Sequence, residues 1–152
     1  MGATRYYEDF AIGDTELSRS RQLDAADIRM FGACSSLSHR IHTDALYCAK
    51  LEELGKPVVP YSLLLNVIDA FFAQSVSPDG VPTFHYGYDK VEFRKPVYPG
   101  DSIYTKFEIT GKTEKNENFG ILTLNATTYN QDGQVVIFHV DKLYVGRKPT
   151  AE

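Results

Sequence analysis

Between Leu63 and Ala73 the chain reads LLLNVIDAFFA, and Asn66 and Asp69 are the only polar residues of the eleven. At helical spacing this segment, Tyr61 to Gln74, is apolar nearly all round. It has almost no side to offer to water, so other elements must cover it. The second half of the chain supplies the cover. Phe84 to Phe93, Ser102 to Lys115, Phe119 to Asn130 and Gln134 to Val145 are strand-length runs in which Thr, Ile, Val, Phe and Tyr are frequent. Leu122, Leu124 and Ala126 alternate with Thr123, Asn125 and Thr127, giving one apolar and one polar face. Asn130-Gln131-Asp132-Gly133 reads as a hairpin turn with a Gly for positive φ, and Pro99-Gly100-Asp101 as a turn entering a strand. Helices followed by an antiparallel meander predict an α+β domain. A covered helix ahead of a curved sheet points to the hotdog fold, in which the sheet wraps the helix.

The upstream third is predicted to be mostly helical. Glu16 to Leu23 alternates weakly and is expected to form a first strand. Asp24 is placed to cap a helix over Ala25 to Ser35, with Asp27 as its capping-box partner. Ser36 to His42 reads as a loop. Thr43 is expected to cap a second helix with Leu46, Leu51 and Leu54 facing inward, ended by Gly55. Ser75 to Pro82 reads as a loop. Asn66 and Asp69, at i and i+3, share a stripe that faces a partner subunit or polar pocket on one reading and solvent on the other.

A chain of 152 residues with 43% hydrophobic and 24% charged residues fits one domain, residues 1–152, with a sizeable core. The formal charge of −4 argues against nucleic acid as a partner, which wants a concentrated basic face. No apolar run reaches the roughly 20 residues of a membrane span, and the N-terminus carries no apolar signal region, so a cytoplasmic location is expected. The two cysteines, Cys34 and Cys48, are expected to be reduced, with Cys34 read as a small buried hydrophobe. His85 and His139 lie on strands without metal-ligand partners in sequence, and no metal site is expected. Gly-rich phosphate loops and Ser nucleophile elbows are absent.

One segment resembles a known active-site motif. Phe31-Gly32-Ala33-Cys34-Ser35-Ser36-Leu37-Ser38-His39-Arg40-Ile41-His42-Thr43-Asp44 is similar to the F-A-x-x-S-G-D-x-N-P-I-H-x-D pattern of the MaoC-like dehydratases, which include the R-specific enoyl-CoA hydratases. Phe31, Ser35, Ile41, His42 and Asp44 fall in register. Tyr7-Glu8-Asp9-Phe10 with Ile12-Gly13-Asp14, Arg21, Asp27, Phe93 with Pro96-Val97-x-Pro99-Gly100-Asp101, and Asn130-Gln131-x-Gly133 with Val135-Val136 resemble further family segments in order. The resemblance implies a hotdog dimer that binds acyl thioesters of coenzyme A or acyl carrier protein and hydrates or dehydrates them, with no cofactor beyond the carrier thioester. In that chemistry an Asp and a His activate water, and a backbone N–H at the start of the central helix holds the thioester oxygen as it gains charge.

The departures from the pattern define the candidate site. Leu37 stands at the catalytic Asp and cannot accept a proton; it reads as part of an acyl pocket or as the mark of a silent site. His42 stands at the catalytic His. His39 replaces the Asn and is either a substitute base or a surface imidazole. Arg40 replaces the Pro and either meets a carboxylate or phosphate by a bidentate contact or is an ordinary exposed Arg. Tyr61 falls at or next to the family's helix-opening Gly; its N–H can serve as the oxyanion donor, while its ring either reshapes the acyl pocket or packs as a core aromatic. Asp44 is expected to act as an N-terminal helix charge, and Lys90, Arg94 and Lys95 are weak candidates for coenzyme A phosphates. The catalytic assignment is therefore His42 and His39, with Leu37, Arg40 and Tyr61 at the substrate. The leading function is an acyl-thioester hydro-lyase with an atypical site; the alternative is an inactive hotdog subunit that binds thioesters or pairs with an active partner. The expected assembly is a homodimer or higher homo-oligomer, or a hetero-oligomer with another hotdog chain.

Overall fold

The computed structural model describes residues 5–76 and 80–149. The long apolar segment forms α3 (Tyr61–Ser75), and Leu63, Leu64, Val67, Ile68, Phe71 and Phe72 are its buried face. Four long strands come after it: β3 (Thr83–Phe93), β4 (Ser102–Glu114), β5 (Phe119–Asn130) and β6 (Val135–Gly146). Two short strands precede α3, β1 (Thr15–Leu17) and β2 (Arg21–Gln22), and both pair with β4. The sheet order is β1-β4-β5-β6-β3, antiparallel throughout. Its inner face and α3 form one apolar core that includes Ile103, Phe107, Leu122, Leu124, Ile137 and Leu143. This is the α+β hotdog arrangement that the covered helix and the meander predict. Among the described residues no helix is long and apolar enough to cross a membrane.

The turns obey their chemistry. Gly133 holds φ +71 in the β5–β6 hairpin and Gly100 φ +100 before β4, values that glycine adopts at little cost. Helix α1 (Ala25–Ser35) is capped as expected: the Asp24 side chain accepts from the Ala26 and Asp27 N–H groups, and Asp27 reaches back to the Asp24 N–H.

Four expectations are corrected. The first strand is broken in two at Ser18, which sits at 7% exposure between the halves. There the Ser18 Oγ accepts from the Thr105 N–H at 2.9 Å, so a side chain replaces one rung of the backbone ladder. The second helix, α2, spans only Ala45–Cys48 and is capped by Asp44, whose carboxylate accepts from the Tyr47 N–H, rather than by Thr43. Cys48 is its buried anchor and Leu46 is 80% exposed, so the segment toward Gly55 has little apolar surface to rest on, and so short a helix does not extend alone. Cys34 is exposed, because only Ile28 of α1 is fully buried. Of the loop expected after α3, Ser77, Pro78 and Asp79 lie outside the described residues.

Candidate functional site

The motif occupies the turn between α1 and α3. Helix α1 ends at Ser36, which takes the left-handed conformation with φ 58, the one non-Gly positive φ among the described residues. The chain then doubles back so closely that a Cβ on Gly32 would lie 3.0 Å from the Leu37 carbonyl oxygen. Arg40–His42 form a single 3-10 turn. Its entry is fixed by His39, whose Nδ1 accepts from the Ile41 N–H at 3.3 Å.

His42 is tied to the approach to α3. Its Nδ1 lies 2.8 Å from the Val58 carbonyl oxygen, and the Val58 N–H donates to the Ile41 carbonyl at 3.0 Å. Val59 in turn donates to the Val97 carbonyl at 2.8 Å, and Pro60 opens α3. A carbonyl can only accept, so Nδ1 carries the proton in this bond and Nε2 keeps the lone pair when the ring is neutral. His42 and Thr43 line a cleft of about 500 Å³ together with Ile28 and Arg29 of α1, Lys56 and Pro99. The cleft thus joins one imidazole to two cationic side chains. Arg29 and Lys56 are absent from the sequence-derived site; they lie outside the motif, and only folding brings them to it.

The other sequence-derived residues are placed differently. His39 and His42 stand edge-on to each other, with ring centroids 6.4 Å apart and the planes at 67°. Leu37 is half-buried and does not line the His42 cleft. Arg40 is committed to its own turn: Nε and Nη2 both donate to Asp44, at 3.0 and 2.7 Å, and the guanidinium lies over the Tyr47 ring. The Tyr47 N–H and then Arg40 hold the Asp44 carboxyl below the usual carboxylate range. Lys90 and Arg94 are both paired with Glu92 at 2.8 Å.

Tyr61 is the first residue of α3, and Pro60 before it offers no side-chain cap. The opening N–H groups of a 15-residue helix, with their partial positive field, are therefore left for another acceptor. The Tyr61 ring does not enter the core. It is 40% exposed and stacks on Phe93 with centroids 4.2 Å apart. The Asn66 and Asp69 pair also separates: Asn66 bonds back to the Ser62 carbonyl, whereas Asp69 accepts from the Tyr88 hydroxyl at 3.1 Å.

Residues 10–130 match the family model for the MaoC like domain. The chain belongs to the MaoC-like dehydratase family. Protein MaoC of Klebsiella aerogenes is 29% identical over 113 residues, covering 74% of this chain and 33% of that protein. A mesaconyl-CoA hydratase from Cereibacter sphaeroides is 23% identical over 153 residues, covering 98% of this chain and 43% of that enzyme. The chain thus spans less than half the length of these two relatives. A solved structure described as a monoamine oxidase regulatory protein, from Archaeoglobus fulgidus, superposes with a TM-score of 0.88 at 25% identity, covering 96% of this chain and 97% of that one. In this MaoC-like chain, Ser36 stands where the family pattern has Gly, and its left-handed backbone is the conformation Gly adopts most readily.

Proposed function

We propose that this chain is an acyl-thioester hydratase or dehydratase in which His42 is the acid/base group. The observation that carries this is the pairing of His42 Nδ1 with the Val58 carbonyl at 2.8 Å, which leaves Nε2 as the basic nitrogen beside a cleft of about 500 Å³. In hydration, Nε2 takes a proton from water as the oxygen attacks the β-carbon of the enoyl thioester. The electron pair moves to the thioester oxygen as an enolate, and the protonated imidazole or solvent returns a proton to the α-carbon. The uncapped N-terminus of α3, with the Tyr61 N–H first, stabilises that oxygen. Arg29 and Lys56 favour an anionic substrate, and a carrier phosphate or an acyl carboxylate each fits them. A mesaconyl thioester has that extra carboxylate, and the named activity of the Cereibacter relative makes it the first substrate to try.

A dimer belongs to the same reading. β3 is the terminal strand of the sheet and carries Phe84, Tyr86 and Phe93 at 58%, 49% and 41% exposure. An eleven-residue aromatic edge of this kind is expected to pair with a second hotdog chain.

The second reading, an inactive hotdog subunit, is favoured by Leu37, which removes the family's carboxylate. One assay series separates the two. Hydration of crotonyl-CoA and mesaconyl-CoA is followed for the purified chain, for His42→Ala, and for Leu37→Asp. Turnover by the chain alone that falls at least a hundredfold in His42→Ala supports the enzyme. No turnover in the chain alone, with activity appearing in Leu37→Asp, supports the silent subunit. No turnover in any of the three, with either substrate, refutes the hydratase reading.

A further inference from the structure

A second group of polar side chains lies away from the His42 turn, between α3 and the β3–β6 pair. β6 turns its odd-numbered residues inward, and His139 and Asp141 sit in the middle of that stripe between Ile137 and Leu143. His139 is wholly buried and Asp141 is 4% exposed. Register shifts in β3 after His85 and after Tyr88 bring His85 and Tyr88 over them. Asp69 reaches across from α3 and accepts from the Tyr88 hydroxyl. Sequence spacing gives His85 no ligand partner; in space it has two carboxylates beside it.

We propose that Asp69, His85 and Asp141 form a binding site for one divalent transition-metal cation of the zinc class. Each offers a ligand atom, and the three atoms lie within 4.8 Å of one another. Ligands of Zn2+ stand about 2.0 to 2.2 Å from the ion and so roughly 3 to 4 Å apart, which small side-chain rotations reach from here. The contact between His85 and Asp141 shows that the pair is not satisfied by itself. His85 Nε2 is 3.1 Å from Asp141 Oδ1, yet this buried oxygen receives no hydrogen bond. A cation set between them would meet both lone pairs.

Charge points the same way. Two carboxylates converge, and the basic residue nearest in sequence, Lys142, turns to the other face of β6 and pairs with Asp89 at 2.7 Å. Such a cluster is relieved by a proton or by a metal cation. Both ring nitrogens of His139 are also buried without a partner, and its Nε2 lies 4.0 Å from Asp141 Oδ2. Access is open: Asp69, His85 and Asp141 line a cavity of about 190 Å³ with Phe72 and Leu143. One imidazole and two carboxylates suit zinc, cobalt or manganese better than soft copper(I). Three protein ligands would leave a fourth coordination position for water or a ligand.

The test uses the full-length chain without a histidine tag, stripped with EDTA, and titrated with Zn2+ and Co2+ by calorimetry and absorption. We expect one equivalent per chain, a d–d spectrum without thiolate charge-transfer bands, and at least a tenfold loss of affinity in Asp141→Asn and in His85→Gln. Cys34→Ser and His39→Gln, which change exposed residues elsewhere, should bind as the parent does. Circular dichroism checks that the variants fold; should either fail to fold, the cobalt spectrum of the parent decides between nitrogen–oxygen and thiolate ligation. Absence of binding below about 100 µM, a thiolate spectrum, or parent-like affinity in folded Asp141→Asn and His85→Gln would overturn the proposal. The His42 hydratase reading is untouched by that result, since no ligand is shared.

Discussion

His139 offers the sharpest test of how the interior is balanced. Its ring is wholly buried, both nitrogens lack partners, and the Tyr88 ring stands edge-on to it with centroids 5.3 Å apart. Desolvation first, and the charge of His85 second, lower its pKa from 6.5 to about 4. As pH falls through 6.5 the unfolded chain takes up a proton that the folded chain refuses, so stability is present above 6.5 and drains away until the folded ring titrates near 4. At about 1.4 kcal/mol per pH unit, the whole loss comes to about 3 kcal/mol. Asp141 opposes it: its folded pKa is raised to about 6, so its contribution improves as pH falls from there toward 3.8, which flattens the wild-type profile. The comparison that isolates His139 is therefore wild type against His139→Phe, because Asp69, His85, Tyr88 and Asp141 are common to both. Urea unfolding of metal-stripped protein at pH 7.0, 5.5 and 4.5 should show the stability of the variant relative to wild type rising by about 2 to 3 kcal/mol over that range. A constant offset from repacking the larger ring does not enter the slope. A difference that stays flat with pH would refute the argument, because it would mean that the imidazole is protonated as readily inside the fold as outside it.

Other substitutions probe the remaining framework. Gly120→Ala should cost about 3 kcal/mol in urea unfolding, since a Cβ there would sit 2.2 Å from the Tyr7 ring and expel a side chain that is 6% exposed. Ser18→Ala should cost about 1 to 2 kcal/mol by leaving the Thr105 N–H without its acceptor. Ser36→Gly should stabilise by about 1 kcal/mol by relieving the left-handed backbone after α1. Leu46→Glu should change stability by less than about 0.5 kcal/mol, because the side chain is 80% exposed; a large loss would restore the longer inward-facing helix.

The sequence made the covered helix, the four long strands and the capping of α1 legible because each rests on local information: an all-round apolar run, strand-length periodicity, and Asp24 three residues before Asp27. The motif made His42 legible for the same reason. Arg29 and Lys56 were not legible, since nothing in their neighbourhood marks them and only the fold sets α1 and the Lys56–Pro57 segment on one cleft. Arg40 was open to two readings, and the Asp44 carboxylate four residues on had the first claim on it.

The second cluster was hidden by a genuine ambiguity in β6. Its even-numbered residues, Val136, Phe138, Val140, Lys142 and Tyr144, are at least as apolar as the odd-numbered Ile137, His139, Asp141, Leu143 and Val145. Alternation alone would turn the even face inward. Register decides otherwise: the hairpin at Asn130 to Gly133 and the shift between Thr128 and Tyr129 set Leu122 opposite Leu143, and the odd face closes on α3. A strand with the greasier face available thus turns His139 and Asp141 toward its core. Buried polar groups without partners lower stability, so a purely structural strand would be improved by replacing both. Joint replacement by His139→Leu and Asp141→Leu is expected to raise the urea midpoint and abolish metal binding together. A double variant that unfolds instead would show that the pair contributes to the packing in its own right.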